Sequence, residues 1–428
     1  MNMRIACITA GAGRMYCGSC LRDNALASAL LAAGHDVLLI PTYTPTRTDD
    51  TNVSMPRVFL GGINIYLQQH FALFRSSPDS LDRLWDFNPL LKLVTRLGIS
   101  VNPTDLGSLT VSMLQGTKGF LKKEVRKLVR FLKELSPEVI NLPNSLLTSL
   151  APAIKAEMKV PVCCTLQGED LFLGSLREPY RQDSLRLIRE NAAYVDAFIA
   201  VSHFGARSMA EYLGIARDRI HVVPLGISFD GFERSHAGDA EPFTIGYLAR
   251  IAPEKGLHFL CDAYRLLRSR GGLSSSRLWA AGYLAPEHNS YLSGIRRSLD
   301  SWGLSDQFTY HGELDRRDKV NFLKNLSVLS VPETYDDPKG LFLLEALACG
   351  IPVVQPRRGA FVEIVETTGG GLLVEPDKPE SLADGLLELW QDPQRRIALG
   401  NQGSQAVREH YNANRMADAA LAIYRSVI

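Results

Sequence analysis

Residues 328–356 read VLSVPETYDDPKGLFLLEALACGIPVVQP, and most of the signals of an α/β fold are compressed into them. The apolar, β-branched run 328–331 has the length of a buried parallel strand, and the Pro- and Gly-punctuated stretch 332–340 reads as a loop. A helix is expected over 341–349, stopped by Gly350, with Pro352 opening a strand over 352–355. The amides of Leu341, Phe342 and Leu343 fall in its first turn, where N–H groups lack intrahelical partners and carry the positive end of the dipole. That is a seat for phosphate. Glu345 is the only charge in the run 341–349. Burying an unpaired carboxylate is costly, so Glu345 either faces a polar ligand or complements the helix dipole from an early turn.

The same alternation of strand and helix continues outward in both directions. Strand 4–9, helix 21–33 capped by Gly34, and strand 36–40 form a first βαβ unit. After an interval come strand 138–142, helix 146–157, strand 160–165, helix 181–193, strand 197–201, helix 204–213 and strand 220–223. A second frame opens at 243–248 and continues with strands 278–281 and 308–311. This spacing implies parallel sheets covered on both faces, and 428 residues suffice for two such domains. From 43 to 119 the frame gives way to a Leu- and Phe-bearing insertion, with a hairpin or strand end expected at 61–66. Long excursions of this kind are usually functional, and this one is assigned to the acceptor side.

Hydrophobic residues at 46% and charged residues at 22% exclude a disordered or fibrous class. A formal net charge of +1 gives no global reason to expect a nucleic-acid partner, so any anion binding must be local. Seven dispersed cysteines without a secreted-scaffold spacing read as reduced thiols, and a cytoplasmic location is expected. The apolar run at the N-terminus is too short for a signal peptide, and no stretch of about 18 apolar residues is present to span a bilayer.

Four further stretches carry chemistry-bearing residues. The loop 10–20, AGAGRMYCGSC, follows the first strand and invites a dinucleotide reading. The second strand ends Leu39-Ile40-Pro41-Thr42, with no acid to hold an NAD ribose, which disfavours that reading. Within this loop Cys17 and Cys20 are either a reactive pair at a helix N-terminus or small residues filling a tight turn. One such pair cannot complete a four-ligand zinc site. Residues 118–134 align Phe120, Leu121, Val125, Leu128, Val129 and Leu132 on one helical face amid basic residues. A helix in peripheral contact with a membrane and the solvated face of an ordinary α/β helix both fit. Gln167-Gly168-Glu169-Asp170 follows a strand at its carboxyl end, where ligands of such sheets collect. Finally, Arg250 and Lys255, five residues apart between a strand end and a helix entry, suit a diphosphate, with ordinary surface charge as the alternative.

Asp337 stands eight residues before Glu345. This pair, with Gly340-Leu341, Leu344-Glu345-Ala346, Ala348-Cys349-Gly350 and Pro352-Val353-Val354, resembles the signature of the retaining glycosyltransferases of the GT-B type, family 4, also called glycosyl transferases group 1. The resemblance implies an α/β GT-B fold with two Rossmann-like domains facing across a cleft. These are an acceptor-side domain over 1–232 and a nucleotide-sugar domain over 242–413, with a terminal helix (414–428) that packs back on the first. It implies that Asp337 touches the donor sugar, that Glu345 holds the ribose hydroxyls, and that Arg250 and Lys255 stabilise the departing diphosphate. Gly11 and Gly13 would lie beneath the donor phosphates, His311 and Gly312 would meet the nucleobase, and Gly340, Leu341 and Phe342 would complete the donor side. The chain departs from the family at Asp337-Pro338-Lys339, in place of Glu-Gly-Phe. It departs again at Gln167, where the family often has a histidine that contacts the transferred sugar.

The expected function is therefore transfer of a glycosyl group, hexosyl or related, from a nucleoside-diphosphate sugar to an acceptor hydroxyl of a glycan, lipid or small molecule, with no metal and no cofactor. No Asp-x-Asp motif is placed to bridge the diphosphate through a metal, and Arg250 with Lys255 can do that work. Rival readings are a nucleotide-sugar-binding protein that does not transfer and a GT-B nucleotide-sugar 2-epimerase.

Overall fold

The computed structural model describes residues 2–11, 15–60, 103–233, 242–270, 273 and 275–428. Gly13, the hairpin expected at 61–66 and residues 234–241 lie outside the described residues. The chain divides into two compact units: Met1–Val201 with Gly205–Pro224 and Met416–Ile428, and Ser202–Phe204 with Leu225–Arg415.

The first unit is built on strands β1 (Arg4–Thr9), β2 (Asp36–Pro41), β3 (Val139–Leu142), β4 (Val162–Leu166), β5 (Ala197–Ala200) and β6 (Ile220–Val222), all parallel, in the order β2-β1-β3-β4-β5-β6. Strands β3, β4 and β5 are buried at every position, as continuous apolar runs covered on both faces should be. The first helix runs Gly18–Ala32, starting three residues earlier than expected, with Cys17 extended in the N-cap position at φ −108° and ψ 128°. The helix expected over 146–157 is broken into a 3-10 turn, Ser145–Leu147, and a helix, Leu150–Glu157. Pro152 is tolerated there because it lies in the first turn of the shorter helix.

The amphipathic stretch near 118–134 forms the helix Lys122–Leu135. Its apolar face belongs to the core of the unit: Leu121, Val125, Leu128 and Leu132 are fully buried, and Phe120 and Phe131 pack against them. That face is therefore packed inside the unit, which corrects the reading of it as an apolar surface, and the exposed residues of the helix are Lys122, Arg126, Arg130, Lys133 and Glu134. Among the described residues no helix is long and apolar enough to cross a membrane.

The second unit carries β7 (Thr244–Leu248), β8 (Arg277–Ala281), β9 (Phe308–Tyr310), β10 (Val328–Leu329), β11 (Val353–Pro356) and β12 (Gly371–Val374), again all parallel, in the order β12-β11-β10-β7-β8-β9. The chain starts in the middle at β7, runs outward to β8 and β9, then returns to the other side of β7 with β10. The strand order thus reverses between β7 and β10. The segment 328–356 supplies β10, the helix Leu341–Ala348 and β11. That helix is buried at Leu343, Leu344, Ala346, Leu347 and Ala348, so it is embedded in the unit rather than laid on its surface.

Candidate functional site

In open parallel sheets, ligands bind beyond the carboxyl ends of the strands where the order reverses, because the loops on either side diverge and leave a crevice. In the second unit those loops follow β7 and β10, and they carry Arg250, Lys255 and Asp337. The two loops interlock. Thr334 N–H donates to the Glu254 carbonyl over 2.9 Å. A Cβ at Gly256, whose φ is +74°, would stand 1.8 Å from the Pro332 carbonyl oxygen. Only glycine permits both that conformation and that approach.

Lys255 is the centre of the resulting cluster. Its Nζ lies 2.6 Å from Glu333 Oε1, 2.7 Å from the Tyr335 hydroxyl and 3.2 Å from Asp337 Oδ2. The other carboxylate oxygen of Asp337, Oδ1, accepts from the Lys339 amide over 3.0 Å. Glu333 and Asp337 are only 1% and 4% exposed. Burial would raise the Asp337 pKa, but Lys255 and Lys339 outweigh it and hold the carboxyl below its ordinary value. Burial, reinforced by Asp337 and opposed by Lys255, pushes Glu333 up to about 8. Burial would lower Lys255, yet Asp337 and Glu333 outweigh it and raise it. Arg250 is partly exposed and pairs with Glu254, Nη2 to Oε1 at 2.5 Å. Both cations singled out in the sequence thus have acidic partners. Those of Lys255 lie 78 and 82 residues away.

Gly340 opens the helix Leu341–Ala348 in the left-handed region, at φ +73°. The Leu343 amide donates to the Gly340 carbonyl over 3.0 Å, so the first-turn seat reduces to the amides of Leu341 and Phe342, a correction to the three expected. Glu345 is buried but not alone: Lys319, from the helix Arg316–Lys324, is its ion-pair partner. The inference from an unpaired buried carboxylate therefore falls, and the ribose role rests on the resemblance. His311 lies just beyond β9, its ring against Trp279 at 5.0 Å and Phe322 at 5.4 Å. Desolvation holds the imidazole below its ordinary pKa, hence neutral near pH 7. The Gly312 carbonyl accepts from the Gly282 amide over 2.8 Å, closing the ends of β8 and β9 together.

In the first unit the order reverses between β1 and β3. Gly11 follows β1 and is packed so closely on Thr44 that a Cβ there would meet its carbonyl oxygen at 2.0 Å. Gln167, at the carboxyl end of β4, is buried. Its Nε2 donates to the Pro143 carbonyl over 3.0 Å and to Asp23 over 3.3 Å. Glu169 braces the same region by accepting from the Ser145 amide at 2.7 Å and the Gln167 amide at 3.0 Å. Gln167 therefore ties its own loop to the loop after β3 and to the first helix. Burial, against the pull of Arg22, pushes Asp23 up to about 6. Cys20 is buried, and a hydrogen bond with Cys17 followed by desolvation raises its thiol above the ordinary range. Sequence reasoning left Lys319 and Tyr335 out of the site and held Glu333 only as a substitute for Asp337; Glu333 had a local signal, as the first acid of the loop after the apolar run 328–331.

The family model of the glycosyl transferases group 1 matches residues 229–406, and that of glycosyltransferase family 4 matches residues 108–230. A D-inositol 3-phosphate glycosyltransferase of Arthrobacter sp. (strain FB24) is 28% identical over 235 residues, covering 53% of this chain and 54% of that protein. The protein of the same name from Segniliparus rotundus is 27% identical over 298 residues, covering 64% of this chain and 63% of its own length. The matches thus span between about half and less than two thirds of these relatives. Among solved structures, the sucrose-phosphate synthase of Thermosynechococcus elongatus superposes with a TM-score of 0.73 at 18% identity, over 100% of this chain and 99% of that one. Anabaena Alr3699/HepE in complex with UDP gives 0.71 at 17%, over 99% and 100%. With two six-stranded parallel sheets and the fold of these structures, the chain has the GT-B fold, its residues 229–406 belonging to the glycosyl transferases group 1 and its residues 108–230 to glycosyltransferase family 4.

Proposed function

We propose that the protein is a retaining glycosyltransferase that moves a sugar from a nucleoside-diphosphate sugar to an acceptor hydroxyl without a metal ion. The carrying observation is the Lys255 cluster, formed where the strand order of the second sheet reverses by two loops, of which one also carries Arg250 and the other leads into the helix Leu341–Ala348. As the glycosidic bond breaks, negative charge grows on the departing diphosphate, and cations and helix amides fixed in advance stabilise it without reorganisation. Glu345 is assigned to the ribose hydroxyls, Asp337 to the sugar and the backbone near His311 and Gly312 to the base. Gln167, with Gly11 and Gly13, belongs to the acceptor-side unit, with Gln167 shaping the pocket rather than contacting the sugar. A nucleoside-diphosphate donor is supported by the HepE structures with UDP and UDP-glucose. The D-inositol 3-phosphate relatives favour a small polyol acceptor.

The test is incubation with UDP-, GDP- and ADP-sugars, with and without EDTA, following free nucleoside diphosphate and the anomeric configuration of the product. Release that persists in EDTA, with retention, is expected. A protein that binds donor but releases nothing is a binder, and one that interconverts two nucleotide sugars is an epimerase. A rate abolished by EDTA refutes metal independence.

A further inference from the structure

Glu333 has no role in the reading above, yet it is the most completely buried acid of the cluster, with a side-chain exposure of 0%. Its Oε1 meets Lys255 Nζ at 2.6 Å, and its Oε2 is buried with no hydrogen-bond partner among the described residues. Asp337 differs: both of its oxygens accept, one from Lys255 and one from the Lys339 amide. Two ionised carboxylates around one ammonium would leave a net negative charge in a site nearly stripped of water, and a diphosphate would then bring more. A carboxylate oxygen buried without a donor is costly, whereas the same oxygen as O–H becomes a donor itself. A proton therefore belongs on Glu333, since Asp337 already has donors at both oxygens.

We propose that Glu333 is a positioning residue that carries a proton at neutral pH, keeping the Lys255 cluster electrically neutral so that it can receive the donor diphosphate; this rests on the donor site proposed above. The groups facing Glu333 are Lys255, Tyr335, Asp337 and, from β7, Tyr247. Across a shallow recess that Glu333 also lines stand Glu375, Asp377 and Lys378. The pKa of Glu333, raised to about 8 by burial and then by Asp337, agrees with this assignment. A raised acid holds its proton below that pH and loses it above. The cluster therefore turns negative, and nucleoside-diphosphate affinity falls, as pH rises through about 8.

Two measurements test this, with wild type and Glu333→Gln. The first is calorimetric titration with UDP, GDP and ADP between about pH 7 and about pH 9, with ADP as the control whose base does not ionise there and inorganic pyrophosphate as the control for phosphate ionisation at about pH 6 to 7. Wild-type affinity for the nucleotide that binds should fall by about tenfold across that range. Glu333→Gln, a neutral side chain of the same length, should keep the affinity it has at neutral pH when the pH is raised, whatever that affinity is. The second is the infrared carboxylic-acid carbonyl band, present in wild type at neutral pH, bleached above about pH 8 and missing from Glu333→Gln. A wild-type affinity that does not change with pH, or a Gln variant with the wild-type slope, overturns the proposal, as does absence of the infrared band. If the band behaves as expected but no nucleotide binds at any pH, the donor site is what has failed, and with it the link from the proton to the diphosphate.

Discussion

Lys319→Met removes the cation that forms a buried ion pair with Glu345. The side chains of Lys319 and Glu345 are 9% and 10% exposed, so the pair is in the buried regime, not the surface one. Exposed ion pairs are worth about 1 kcal/mol or less, whereas removing one partner of a buried pair costs about 3–5 kcal/mol because the other charge is left uncompensated. The double variant Lys319→Met/Glu345→Gln should recover most of that loss, giving a coupling of at least about 2 kcal/mol. Urea unfolding followed by tryptophan fluorescence suits the measurement, because Trp279, Trp302 and Trp390 all lie in the unit that contains the pair. With a slope of about 2 kcal/mol per molar urea, the single variant should lower the midpoint of that unit by about 1.5–2.5 M. A shift below about 0.5 M, or a double variant no more stable than Lys319→Met, would refute the argument that burial makes Glu345 dependent on Lys319.

The two cations should respond differently to truncation. Arg250→Ala should cut turnover by about tenfold to a thousandfold with little change in the urea midpoint, whereas Lys255→Met should lose both, since it leaves the buried Asp337 carboxylate without its cation; steady-state rates beside unfolding curves separate the cases. Asp337→Asn should cut transfer severely while leaving nucleoside-diphosphate affinity nearly intact by calorimetry, and an undiminished rate would pass the sugar contact to Asp336 or Glu333. Gly256→Ala should push apart the two loops of the donor site, because its Cβ would stand 1.8 Å from a backbone oxygen, and it should abolish nucleotide binding even where circular dichroism shows a folded chain.

What could be read in advance follows the range of the interactions. The strands from β1 to β11 are visible as short apolar runs because parallel strands are buried on both faces, and their ends fall within about two residues of expectation, whereas the glycine-led, half-buried β12 was not expected as a strand. The helix Leu341–Ala348 is bounded by its own glycines and needed no tertiary information. The start of the first helix at Gly18 was missed, because Gly18 and Ser19 read as loop until Cys17 is seen in the N-cap position. The partners of the site residues were hidden for a different reason. Lys319 reaches Glu345 across 26 residues and Lys255 reaches Glu333 across 78, and no local pattern encodes which lysine on a helix or turn faces which acid. Residues 118–134 are the reverse case: a basic amphipathic helix looks the same whether its apolar face meets lipid or a sheet, and only the packing of Leu121, Val125, Leu128 and Leu132 decides it.

The close approach of Gly256 to Pro332 has a practical consequence for changing donor preference. The segment 249–256 and the segment 330–340 fit as a cassette: the carbonyl of one occupies the space where a side chain of the other would begin. A graft of either segment alone from a relative would bring a backbone shaped for a different neighbour. Exchange of sugar preference by transplantation should therefore succeed only when both segments travel together, and natural diversification of this region is expected to have moved them as a linked block.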